Sequence, residues 1–179
     1  AFKAAAQKAF GKTFNANGEI AITPLSGDGS DRIWRWLSLN GHNMVAADHG
    51  LSMPENTGKT SEAEAFVNIG RHLNRLNLPV PQIYFHDTFA GLVFAEDVGD
   101  LSLQLYLQGR PGPAGILTIY KQVIDALIAF SRQGIKGFDL NWAWQSKVYD
   151  RTLILQNECG YFTGRFLHEY LDIDLDAFN

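Results

Sequence analysis

The chain has 179 residues, 46% of them hydrophobic and 19% charged, enough to bury the core of one domain or two small lobes. A formal net charge of −4 gives no electrostatic drive toward nucleic acid or anionic membranes, whose phosphates are bound by a surplus of lysine and arginine. The one cysteine, Cys159, excludes an internal disulfide and an all-cysteine metal site; with no unbroken apolar run near the roughly 20 residues of a bilayer span and no signal-peptide core at the start, the cytoplasm is the expected location.

In chain order, AFKAAAQKAFGK reads as an amphipathic helix. Glu19 to Leu25 and Asp31 to Leu39 are short β-like runs on either side of the turn-forming cluster SGDGS, Ser26 to Ser30. Asn40-Gly41 favours a two-residue hairpin turn because both residues tolerate positive φ, and His42 to Asp48 follows as a third strand. His49 to Thr60 is rich in Gly, Pro, Asn and Thr and reads as a loop. Ser61 with Glu64 has the form of a capping box for a helix in which Ala65, Phe66, Ile69, Leu73 and Leu76 recur at helical spacing. Ile83 to Phe85 and Leu92 to Ala95 supply two more strands, the second running into an acidic, glycine-containing stop.

Beyond Asp100 strands give way to helices. SLQLYLQ precedes a break at GRPGP, and Ile116 to Arg132 forms a long helix with Leu117, Tyr120, Val123, Ile124, Leu127, Ile128 and Phe130 on its expected buried side. A last helical pattern runs from Val148 to Leu171, with Gly160 and Gly164 as candidate breaks, before the tail DIDLDAFN. The expected fold class is α+β: a five-stranded antiparallel lobe with one inserted helix over residues 1–98, then the opening of a helical lobe over 99–179.

Sheet lobe first and helical lobe second is the element order of protein-kinase-like folds. SGDGSDR, Ser26 to Arg32, lies between strands one and two, where a kinase places the loop over its nucleotide phosphates and where small residues let backbone N–H groups approach an anion. An ordinary Gly/Asp hairpin turn is the competing reading. LVFAEDVGD, Leu92 to Asp100, ends a buried strand where the lobes join, and such a connector can present main-chain groups to an adenine edge.

Together with EAEAFVNIGRHLNRLNLPVPQIYFHD, these segments resemble in order and spacing the aminoglycoside phosphotransferase and choline kinase superfamily. They resemble above all its bacterial kinases acting on the anomeric position of N-acetylmuramate or N-acetylglucosamine. In that subgroup Tyr-Asp-Arg, then a glutamate and aromatics, open the helical lobe, and Tyr149-Asp150-Arg151, Glu158 and Tyr161-Phe162 are similar. The resemblance implies ATP and Mg²⁺ as cofactors and a sugar or amino-sugar hydroxyl as γ-phosphoryl acceptor. It also implies phosphate contact by Gly27, Asp28, Gly29 and Ser30 with Arg32 nearby, adenine contact by the backbone of Glu96, Asp97 and Val98, and an acceptor pocket touched by Tyr149, Asp150 and Glu158. Interhelical contacts remain an alternative for those last three.

Two departures from the kinase pattern stand out. The strand-three lysine has no counterpart, since Ala46 and Ala47 occupy its place; the phosphates are left to Mg²⁺, Arg32 or Lys59, and Glu62 and Glu64 read as a solvated first helix turn. No His-x-Asp-x-x-x-x-Asn occurs, because none of the histidines at 42, 49, 72, 86 and 168 has Asp two residues on, and His86-Asp87 reads as a strand end. No catalytic residue is therefore assigned, and the expectation is a truncated kinase that binds nucleotide weakly and turns nothing over. The alternation Asp172, Asp174, Asp176 reads as a solvated tail rather than a metal site, and Trp142 and Trp144 as interhelical aromatics as readily as sugar platforms. The alternative function is a non-catalytic kinase-like module that binds a nucleotide or a protein partner.

Overall fold

The computed structural model describes residues 1–26, 32–51 and 60–173. It divides into two compact units, Ala1–Trp142 and Ala143–Asn179. The first is α+β, built on one five-stranded antiparallel sheet.

Helix α1 (Phe2–Phe14) ends where Asn15 turns left-handed at φ 51° and returns its N–H to the Phe10 carbonyl. The strands are β1 (Ala21–Pro24), β2 (Ile33–Leu39), β3 (His42–Asp48), β4 (Ile83–Asp87) and β5 (Leu92–Glu96), in the spatial order β1-β2-β3-β5-β4. The β2–β3 hairpin closes through Asn40 and Gly41 at φ 52° and 80°, the positive values a two-residue hairpin turn requires, and this fixes the register from Leu39 opposite His42 to Ile33 opposite Asp48.

Both faces of the sheet are covered. On one, Ala5, Ala6, Ala9 and Phe10 of α1 pack with Leu37, Met44, Ala46, Leu92 and Phe94; three alanines on the helix let it lie close to the strands. On the other, Ala63 and Val67 of α2 (Glu62–Arg75) pack with Val93. Leu92 and Phe94 face one way and Val93 the other, as strand alternation demands, so β5 is buried on both sides and reads as an unbroken apolar run. The α2 capping box forms as the spacing predicts: Ser61 Oγ accepts from the Glu64 N–H at 3.2 Å and the Ser61 N–H donates to Glu64 Oε2 at 2.8 Å.

Helices α3 (Leu103–Gln108) and α4 (Pro113–Gln133) follow, with Gly112 and Pro113 opening α4, and a 3₁₀ turn spans Leu140–Trp142. The expected buried side of α4 is a correction: the helix forms, but it has no buried residue, and Leu117, Ile124 and Leu127 are 73%, 54% and 60% exposed. Apolar spacing sets which side of a helix is hydrophobic; whether anything covers it depends on elements elsewhere. Helix α4 is 21 residues long and its most apolar 18-residue stretch has a mean hydropathy of 1.3, enough by length and composition alone to cross a bilayer. An unbroken-run criterion overlooks it because Lys121 and Asp125, paired at 2.6 Å, and Arg132 interrupt the sequence.

The second unit holds α5 (Arg151–Leu153), N-capped by the Asp150 carboxylate, which continues in wider π turns over Ile154–Cys159 and Phe162–Tyr170. Gly160 and Gly164 lie within this helical run without breaking it.

Candidate functional site

The most unusual side-chain cluster lies where β2, the end of β3 and the start of α2 meet. Arg32 stands just before β2, His49 just after β3, and Glu62 in the first turn of α2. Glu62 sits between the other two, with Arg32 Nη1 3.4 Å from Oε1 and His49 Nδ1 3.4 Å from Oε2. The Arg32 guanidinium also lies 5.6 Å from the Trp34 ring centroid, and Phe66 of α2 stands edge-on to both Trp34 and His49, at 6.4 and 5.8 Å.

His49 has a side chain only 3% exposed, and neither ring nitrogen makes a hydrogen bond. The 3.4 Å approach to Glu62 lacks hydrogen-bond alignment, so both ring nitrogens are buried without a protein hydrogen-bond partner among the described residues. A buried polar group of this kind calls for a partner such as a water, an ion or a ligand.

This geometry corrects the reading of Glu62 as a solvated helix-turn residue: it is half-buried and engaged by a cation and an imidazole. Glu64 is exposed and serves the cap. Ala46 and Ala47 are 0% and 2% exposed in mid-β3. Arg35, the arginine of β2, is tied to Asp48 at 2.9 Å and lies 4.5 Å from the Phe2 ring centroid, on the α1 side. Gly27, Asp28, Gly29, Ser30 and Lys59 lie outside the described residues.

The connector after β5 is pinned by its own acids. The Glu96 N–H donates to the Gln82 carbonyl at 2.8 Å, and Glu96 Oε2 accepts the Gln82 N–H at 3.0 Å. Asp97 Oδ2 accepts from the Trp36 indole N–H at 2.7 Å and Oδ1 from the Gly99 N–H at 3.0 Å. Both carboxylates are thus committed to holding the connector, and Val98 is 72% exposed beside them. The Tyr84 phenol is held above its ordinary value, first by burial and then by the charges of Glu96 and Asp97.

In the second unit, Tyr149 Oη donates to Glu158 Oε1 at 2.7 Å, a bond that raises the phenol above its usual range, and the Asp150 carboxylate accepts from the Leu153 N–H at 2.9 Å. The structure brings Tyr149 and Glu158 together and commits Asp150 to a helix cap. Trp142 packs against His72 and Phe138, with ring centroids 5.2 and 5.4 Å away, while Trp144 is 47% exposed.

Sequence reasoning missed an open cavity of about 410 Å³ beside the second half of α2, lined by Asn68, Arg71, Asn74, Arg75, Gln82 and Trp142 among others. The available signal was the i, i+3, i+7 stripe Asn68, Arg71, Arg75. Among the described residues no group of three His, Cys, Asp or Glu side chains could hold a metal ion. No protein-family model matches the chain, and no curated protein and no solved structure matches it.

Proposed function

We propose that this chain is the nucleotide-binding portion of an ATP-dependent small-molecule kinase, with a protein-kinase-like arrangement of a sheet lobe followed by helices. One observation carries the reading. In such kinases a strand-three lysine pairs with both the nucleotide phosphates and a glutamate of the inserted helix. Here β3 offers only Ala46 and Ala47, but the inserted helix keeps a glutamate, Glu62, and its cation is Arg32, two residues after the glycine-bearing segment Ser26 to Ser30. A guanidinium presents a planar fork of donors suited to phosphate oxygens, and Glu62 fixes its direction.

In this reading Arg32 and the main chain of residues 27–30 take the phosphates, and the main chain at Asp97 and Val98 takes the adenine edge. Mg²⁺ arrives with the nucleotide, and no residue of this chain is assigned to hold it. The acceptor is a sugar or amino-sugar hydroxyl attacking the γ-phosphorus in line. No residue here is assigned the role of the catalytic aspartate, so the chain binds nucleotide without turnover.

The test is calorimetric titration of the chain with ATP·Mg²⁺, alongside Arg32→Gln and a Gly27→Val, Gly29→Val double variant. Saturable binding should weaken at least tenfold in Arg32→Gln, about 1.4 kcal/mol, and be lost in the double variant. Binding unchanged in Arg32→Gln overturns the assignment of that residue. A second reading, a kinase-like module that binds a protein partner without catalysis, is favoured by the exposed Leu117, Ile124 and Leu127 of α4. It predicts a folded chain that takes up no ATP, so the same titration separates the two.

A further inference from the structure

From the cavity beside the second half of α2, we propose a binding site for a phosphomonoester carried on a ring, such as a sugar phosphate, distinct from the Arg32–Glu62–His49 cluster. About 410 Å³ is room for a small ligand, and the cavity is open to solvent. Arg71 and Arg75 stand one turn apart on the same stripe of α2, with Asn68 a turn earlier. Like charges at this spacing repel, so the pair weakens the helix unless an anion lies between them.

Among the described residues no carboxylate pairs with them. Arg32, Arg35, Lys121 and Arg165 all pair with acids, whereas Arg71 and Arg75 have no ion pair among the described residues. The acid beside this wall, Glu96, is engaged by the Gln82 backbone N–H. Two uncompensated guanidinium groups match the double charge of a phosphomonoester better than the single charge of a carboxylate, and the Asn68 and Gln82 amides can serve ring hydroxyls.

The indole is held by aromatic neighbours. Trp142 packs on His72 and Phe138, and His72 is itself fixed by the contact of its Nε2 with the Gly134 carbonyl at 2.8 Å. A half-buried indole lining the same cavity as two arginines is a stacking surface for the apolar face of a sugar ring. The positive field is felt locally: after burial, Arg71 is the second cause depressing the His86 imidazole. Helix-end arginines that merely favour the C-terminal dipole would explain Arg75, but they explain neither Arg71, a turn further from the helix end, nor the indole lining the same cavity.

The experiment is calorimetric titration of the full chain with glucose 6-phosphate, inorganic phosphate and glucose. The variants are an Arg71→Gln, Arg75→Gln double, Trp142→Phe, and Arg32→Gln. Glucose 6-phosphate should bind saturably and more tightly than either inorganic phosphate or glucose. The arginine double variant should lose at least tenfold for both phosphates. Trp142→Phe should weaken glucose 6-phosphate while leaving inorganic phosphate unchanged, and Arg32→Gln should change nothing, which separates this site from the nucleotide reading. No saturable binding by the folded chain, or binding indifferent to the arginine double variant, overturns the proposal. Circular dichroism of each variant establishes that it is folded.

Discussion

Replacing Trp36 by phenylalanine keeps an aromatic plane on β2 and deletes the N–H that holds Asp97 Oδ2 at 2.7 Å. A hydrogen bond to a charged acceptor contributes about 1.5–3 kcal/mol. The lower end applies here: Asp97 is half-buried, so the released oxygen regains water, and the Gly99 N–H still holds Oδ1 at 3.0 Å. Trp36→Phe should therefore cost about 1.5 kcal/mol, plus a smaller packing loss. Asp97→Ala removes both bonds and should cost at least as much. The double variant isolates the shared bond, and the coupling energy from urea unfolding should be about 1–1.5 kcal/mol. A coupling below about 0.3 kcal/mol would mean that the Trp36–Asp97 bond does not pin the connector to β2.

Gly91→Ala should be among the most damaging small substitutions in the chain. Gly91 has φ +68° and a Cβ placed there would lie 1.8 Å from the Gly50 carbonyl oxygen, so the β3 exit beside His49 must shift; we expect a loss of roughly 2 kcal/mol or more in urea unfolding, and a neutral result would refute the close approach. The His86 imidazole is depressed below its ordinary 6.5, first by burial and then by Arg71. A base whose folded value lies below its unfolded one is protonated more readily after unfolding, so stability falls as pH drops through about 6.5 toward the folded value. An NMR titration should place the His86 midpoint under 6.5 and raise it partway in Arg71→Gln, with the burial share remaining; an unmoved midpoint would remove Arg71 from the account.

Features governed by neighbours in sequence were legible. Asn40-Gly41 needs positive φ at two adjacent residues, Ser61 and Glu64 close a capping box within one turn, and the five strands follow from short apolar runs between breakers. What failed to show was anything requiring two distant segments. The sequence around Glu62 looks like a solvated helix turn because its partner lies 30 residues earlier in the chain, and no spacing rule links them. The Arg71–Trp142 wall spans α2 and the 3₁₀ turn, and the open side of α4 depends on what is absent around it rather than on its own pattern.

The register of the sheet explains why the cation of this cluster stands at Arg32 and not on β3. Ala46 lies in the α1-facing core with Ala5, Ala6 and Ala9, where a lysine stem would displace the close-packed helix. Ala47 faces the other way and pairs directly with Trp34, whose indole extends toward Phe66 of α2 across the space a longer side chain at 47 would need. With both positions filled by packing, a charge that must reach Glu62 has to come from the same face of β2 one alternation outward from Trp34. That position is Arg32, which lies along the Trp34 ring and meets Glu62 at 3.4 Å. The aromatic ladder Trp34–Phe66–His49 thus links sheet to helix, with the Arg32 guanidinium against its first ring and Glu62 beside it.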